Sequence, residues 1–110
     1  MYLADWEDSG LAGMCKDFEI PETTLDGAEV LLAYYLYEDY SGSAFVLLRR
    51  GEKLFEVHGG HCSCYGLEGQ WDEEETSAAA LQLRIDKATS WDFEGHKDAL
   101  IEVLKTEAAR

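Results

Sequence analysis

The stretch AEVLLAYYLYE, Ala28 to Glu38, restricts the possible folds of this chain more than any other part of it. Its apolar and aromatic residues fill both alternating sets, Leu31, Ala33 and Tyr35 on one and Val30, Leu32 and Leu36 on the other. A strand with one wet face alternates apolar with polar residues, so a strand filled on both sides needs cover on both faces. A buried helix segment of this length would look similar, so the run admits both, with the covered strand taken as the expectation. YSGS is a turn signal, AFVLLRR a second strand, RGEK a tight turn around Gly51 and LFEVHG a third strand. Together they form an antiparallel meander.

Near Thr76 the apolar spacing changes from two to about four. Ser77 can cap a helix in which Ala78, Leu81, Ile85 and Ala88 share a face, although LQLRI within it also alternates. Asp92 can cap a last helix with Phe93, Leu100, Val103, Leu104 and Ala108 inward. The opening MYLADWEDSGLAGMCKDFEI reads as irregular, with room for one short helix or edge strand. Strands followed by helices make an α+β fold: a small antiparallel β-meander of three or four strands with two C-terminal helices packed on it, in a single domain, 1–110. Val30, Leu32, Phe45, Leu47, Phe55, Leu81, Leu100 and Leu104 are expected to be buried together.

The composition is globular, with 46% apolar residues despite a net charge of -14. The first residues carry Asp5, Glu7 and Asp8 and do not resemble a secretory signal. The longest unbroken apolar run, Val30 to Tyr37, is too short to span a bilayer. These features suggest a soluble protein of the cytoplasm. The 3 cysteines, with Cys62 and Cys64 two apart, fit a reducing compartment better than a disulfide framework.

The segment HGGHCSCYGLEGQW, His58 to Trp71, concentrates histidine and cysteine directly behind the third strand. Cys62 and Cys64 would lie about 6.6 Å apart in an extended segment, near enough for two thiolates to meet on one ion if the chain curls. Gly59, Gly60, Gly66 and Gly69 favour such a bend. Zinc takes cysteine sulfur and histidine nitrogen tetrahedrally, so His61, Cys62 and Cys64 are candidate ligands, with His58, His96, Cys15 or an acid as the fourth. Against this, small buried cysteines and backbone-bonded histidines would leave the same pattern. A cysteine nucleophile with His58 or His61 as base lacks an identifiable third, orienting group. Trp71 reads as the packing anchor of this corner and Trp91 as the anchor of the last helix.

Three parts of the chain carry a resemblance: YSGSAFV (Tyr40 to Val46), GEKLFEV (Gly51 to Val57) and HCSCYGLEGQW (His61 to Trp71) followed by acids. Over Tyr37 to Thr76 the chain resembles a small uncharacterised family of phage and prophage proteins that share an H-C-S-C-Y-G-L-E-x-Q-W block. The resemblance implies a phage origin and no mechanism.

Acids outnumber cations 23 to 9. Asp72, Glu73, Glu74 and Glu75 are consecutive, Glu38 and Asp39 flank the tyrosines, and Glu7 and Asp8 follow Trp6. A solvated face accounts for such runs. Spaced carboxylates among aromatics also present charge as a phosphate backbone does, which suits a basic, nucleic-acid-binding partner and disfavours direct nucleic-acid binding. The expectation is a non-catalytic, phage-type inhibitor of a basic host protein, comparable in size, origin and charge to anti-CRISPR proteins and directed at a CRISPR effector nuclease or similar target, with a structural Zn2+ site. The alternatives are a zinc-binding structural or regulatory protein outside defence and a zinc- or cysteine-dependent hydrolase.

Overall fold

The structure, a computed structural model, describes residues 1–38, 41–61, 66–87 and 96–108. Five strands, β1 (Tyr2–Ala4), β2 (Ala28–Glu38), β3 (Ser41–Arg50), β4 (Lys53–His61) and β5 (Glu74–Thr76), form one sheet in sequence order. Strands β2 to β5 are antiparallel neighbours, and β1 lies parallel to β2 with Tyr2 to Ala4 opposite Ala33 to Tyr35. Helix α1 (Gly10–Phe18) and a 3-10 turn (Glu22–Leu25) connect β1 to β2; α2 (Ala78–Lys87) and α3 (Lys97–Ala108) follow β5. The fold is α+β, with the expected meander and two C-terminal helices.

The doubly apolar β2 is covered on both faces. On one side Trp6 and α1, through Met14, Cys15 and Phe18, pack on Ala33, Tyr35, Ala44, Val46, Leu48 and Val57. On the other, Leu81 and Ile85 of α2 and Leu100 and Leu104 of α3 pack on Leu32, Tyr34, Phe45, Leu47 and Leu54. The sheet therefore divides the core in two. Leu32, Phe45, Leu47, Leu81, Leu100 and Leu104 are buried together as expected, whereas Val30 and Phe55 pack against the α1 layer. A register shift between Val30 and Leu32 breaks the strict alternation, so the expected set of Val30, Leu32 and Leu36 changes face partway.

Local chemistry sets the element ends. Gly51 has φ 64, the left-handed conformation a two-residue hairpin loop needs, and Arg50 pairs with Lys53 across it. Helix α1 stops at Glu19, also left-handed, where the Ile20 amide donates to the Cys15 carbonyl at 3.0 Å just before Pro21. Ser77 Oγ accepts the Ala80 amide at 3.1 Å, the expected cap of α2. Leu100 and Leu104 of α3 face inward with the half-buried Val103; the proposed cap Asp92, together with Ala88, Trp91 and Phe93, lies outside the described residues. Among the described residues no helix is long and apolar enough to cross a membrane.

Candidate functional site

The histidine and cysteine corner forms where β4 ends. Gly59 sits so close to the α1 layer that a Cβ there would stand 2.9 Å from the Leu67 side chain and 3.3 Å from Phe18. Gln70 closes the loop behind it: its Oε1 accepts the Gly60 amide at 2.8 Å, and its Nε2 donates to the Gly60 and Gly66 carbonyls at 2.8 and 2.6 Å. Trp71 packs against the α1 layer, edge-on to Phe18 with centroids 5.1 Å apart, and is the packing anchor expected of it.

His58 and His61 are on the same strand but three positions apart, so they leave opposite faces. His58 lies over Phe45 in the α2 and α3 layer, centroids 5.2 Å apart, and its Nε2 is 2.7 Å from Glu56 Oε1. His61 lies in the α1 layer against Tyr37 and Tyr35, at 4.1 and 6.4 Å between centroids. The structure therefore does not bring His58 to His61 as a shared ligand set: the strand continues extended through Gly59 and Gly60 instead of bending there. His96 lies tilted against Tyr34, centroids 4.7 Å apart, on the same layer as His58. Cys15 is buried in the α1 core, where burial and then the charge of Glu22 push its thiol pKa up. Cys62 and Cys64 lie outside the described residues, and among the described residues no group of three histidine, cysteine, aspartate or glutamate side chains is placed to hold a metal. The Nδ1 of His61 is buried and has no hydrogen-bond partner among the described residues.

A second cluster was not anticipated from the sequence. Among the described residues Glu56, 5% exposed, is the charged residue buried in the core. Arg84 of α2 places Nη1 2.7 Å from each of its carboxylate oxygens, His58 adds its Nε2, and Thr76 of β5 hydrogen-bonds it as well. Burial pushes the Glu56 pKa up, but the hydrogen bonds from His58, Arg84 and Thr76 and the charge of Arg84 outweigh it and bring it down to about 2. An ionised carboxylate only accepts, so His58 donates to Glu56 from Nε2. The available sequence signal was a carboxylate in the inward set of a strand, following Leu54. Its partner lies 28 positions away.

The acidic run is divided by the fold. Glu73 turns inward and forms a two-point pair with Arg50, Nε to Oε1 at 2.8 Å and Nη2 to Oε2 at 3.0 Å, while Trp71 Nε1 donates to it at 3.0 Å. The bond from Arg50 holds the Glu73 pKa down against its burial. Asp72, Glu74 and Glu75 remain exposed along the β5 edge, with Glu75 3.8 Å from Lys53. Asp39 and the side chain of Glu38 lie outside the described residues. At the far end of the sheet, the turn after β1 exposes Asp5, Glu7 and Asp8; Asp5 accepts the Tyr37 amide at 3.0 Å. Burial, followed by the charges of Asp17 and Asp5, pushes the hydroxyl of neighbouring Tyr35 up to about 12.

Arg49 pairs with Glu29 and, at 2.9 Å, with Glu107. Arg49, Arg50 and Arg84, the arginines among the described residues, thus all hold carboxylates of the chain itself. Comparison with protein-family models, with curated proteins and with solved structures found no match.

Proposed function

We propose that this chain is a non-catalytic acidic binding protein, a phage-type inhibitor whose partner is a basic, nucleic-acid-binding host protein such as a CRISPR effector nuclease. The observation that carries the reading is the internal use of Arg49, Arg50 and Arg84, which leaves an outer surface dominated by carboxylates in a chain of net charge -14. Such a surface attracts a lysine- and arginine-rich partner and repels nucleic acid. Asp72, Glu74 and Glu75 on the β5 edge are the contacts of first choice, with Glu38, Asp39 and the Asp5 to Asp8 turn adding charge. Glu73 serves the fold. The host cytoplasm is where such a partner would be met.

Recovery of a partner from bacterial lysate, identified by mass spectrometry, provides the material for the test. The association rate is then measured across a salt series for wild type and for the combined variant Asp72→Asn, Glu74→Gln, Glu75→Gln. Slower association with a shallower salt dependence in the variant is the expected result. Equal rates and equal salt slopes would leave these acids as a solvated face, and substrate turnover without a stable partner would favour an enzyme instead. A second reading, a small zinc-binding structural or regulatory protein outside defence, is supported by the buried Nδ1 of His61, which has no partner among the described residues.

A further inference from the structure

We propose that the Tyr37 ring, backed by His61 and rimmed by the carboxylates of Asp5, Asp17 and Glu68, is a docking platform for an arginine side chain of the basic partner. The inference rests on the reading of a basic partner and adds the group recognised and the residues that recognise it. It starts from the register of the sheet. Tyr37 on β2 stands opposite Gly42 on β3, and Gly42 stands opposite His61 on β4, so the three residues form one row across the sheet. Residues directly opposite one another leave the same face, here the face whose preceding row, with Tyr35 and Ala44, belongs to the α1 core. Gly42 puts no side chain between its neighbours, and the rings of Tyr37 and His61 lie with centroids 4.1 Å apart. A Cβ at Gly42 would stand 2.6 Å from the Leu36 carbonyl oxygen and 3.2 Å from Cε1 of Tyr35. Past the α1 core the row opens to solvent: Tyr37 is 39% exposed, and among the described residues no other tyrosine, phenylalanine or tryptophan is exposed.

Three carboxylates from three separate segments surround this ring pair. Asp5, in the turn after β1, accepts the Tyr37 amide at 3.0 Å. Asp17 of α1 accepts Nε1 of Trp6, whose ring lies 5.3 Å from that of Tyr35. Glu68 accepts the Gly66 amide at 3.2 Å, and a Cβ on Gly66 would stand 2.7 Å from its Oε2 and 3.3 Å from Cδ2 of His61, which sets carboxylate and imidazole side by side. The same grouping acts on Tyr35, whose hydroxyl pKa is pushed up by burial and then by Asp17, Asp5, Tyr37 and Glu68. Each carboxylate is thus anchored by one N–H donor, and among the described residues none of the three takes part in an ion pair. An exposed ring beside fixed, unneutralised carboxylates fits a guanidinium better than an ammonium. The planar guanidinium stacks on the ring face while its fork of N–H donors reaches the carboxylates, whereas the ammonium of lysine is compact and strongly hydrated. The β5 edge offers Asp72, Glu74 and Glu75 without such a ring, since Trp71 packs inward on Phe18. The edge therefore supplies attraction at a distance and the platform a defined contact.

The test is an NMR titration of the isotope-labelled full chain with a hexa-arginine peptide, with hexa-lysine and the neutral hexa-citrulline as controls. Hexa-arginine should shift the Asp5, Tyr37, Gly42 and Gly66 amides and the His61 ring, and should bind more tightly than hexa-lysine. Tyr37→Leu should weaken hexa-arginine binding about tenfold and Tyr37→Phe should leave it nearly unchanged, since the ring and not the hydroxyl makes the contact. Should Tyr37→Leu fail to fold, the double variant Asp5→Asn, Glu68→Gln decides by the same loss of affinity. Shifts confined to the Asp72 to Glu75 segment, undiminished binding in these variants, or equal binding of hexa-lysine or hexa-citrulline would overturn the platform. The recovered partner separates this inference from the reading beneath it. A basic partner whose binding weakens with neutralisation of the β5 edge but ignores Tyr37→Leu overturns the platform and leaves the reading in place, whereas arginine-selective peptide binding at Tyr37 together with a partner that is not basic supports the platform and overturns the reading.

Discussion

Replacing Glu56 by Gln should destabilise the protein by ~3 kcal/mol at pH 7 and by almost nothing near pH 2. The substitution keeps the shape and much of the hydrogen-bonding capacity of the side chain but removes the charge that Arg84 and His58 face. In the folded chain the carboxyl pKa falls from 4.5 to about 2, and at about 1.4 kcal/mol per pH unit that difference corresponds to ~3 kcal/mol. Glu56 is 5% exposed, so the charge is poorly screened at the carboxylate. The Arg84 side chain is 44% exposed, and water tempers the attraction from that side, making ~3 kcal/mol an upper figure. The sign follows from the direction of the shift. A depressed carboxyl stabilises the folded state above the unfolded pKa, and that contribution is lost as pH falls through the folded one. The window is therefore pH 4.5 down to about 2. Urea unfolding followed by tryptophan fluorescence, for wild type and variant at several pH values, measures the difference directly. Glu73, whose pKa is also held down, is common to both proteins and cancels. A gap that stays constant from pH 7 to pH 2.5, or one below about 0.5 kcal/mol at pH 7, would refute the assignment of this stabilisation to the Glu56 charge.

Phe45→Ala should cost about 3 to 5 kcal/mol in the same unfolding assay, because Phe45 is 2% exposed, stacked on Tyr34 and edge-on to His58 in the core beneath α2 and α3. Glu73→Gln should lose about 1 to 2 kcal/mol through the Arg50 and Trp71 contacts, whereas neutralising Asp72, Glu74 and Glu75 together should change stability by less than about 0.5 kcal/mol per site. Equal effects would mean that the fold does not divide the run. Gly59→Ala should cost about 1 to 3 kcal/mol, read as a lower urea midpoint, since the new methyl would meet Leu67 and Phe18 at 2.9 and 3.3 Å.

Much of this fold is written in local patterns. The filled alternation of Ala28 to Glu38 required two covered faces, Gly51 marked the hairpin and Ser77 the start of α2, because turn, cap and strand preferences act over a few residues. The N-terminal unit was less legible for the same reason. Strand β1 has three residues and owes its identity to pairing with Ala33 to Tyr35; α1, nine residues with Gly10 and Gly13, is held by the burial of Met14, Cys15 and Phe18. The odd spacing of His58 and His61 already implied opposite faces, but the glycines between them permitted a bend, and only pairing of β4 with Ser43 and Gly42 keeps that segment extended. The pairs Glu56 with Arg84 and Glu73 with Arg50 join residues 28 and 23 positions apart. Whether an acid becomes a buried anchor or an exposed charge depends on which cation the packed elements bring within about 3 Å, and no run of consecutive residues contains that information.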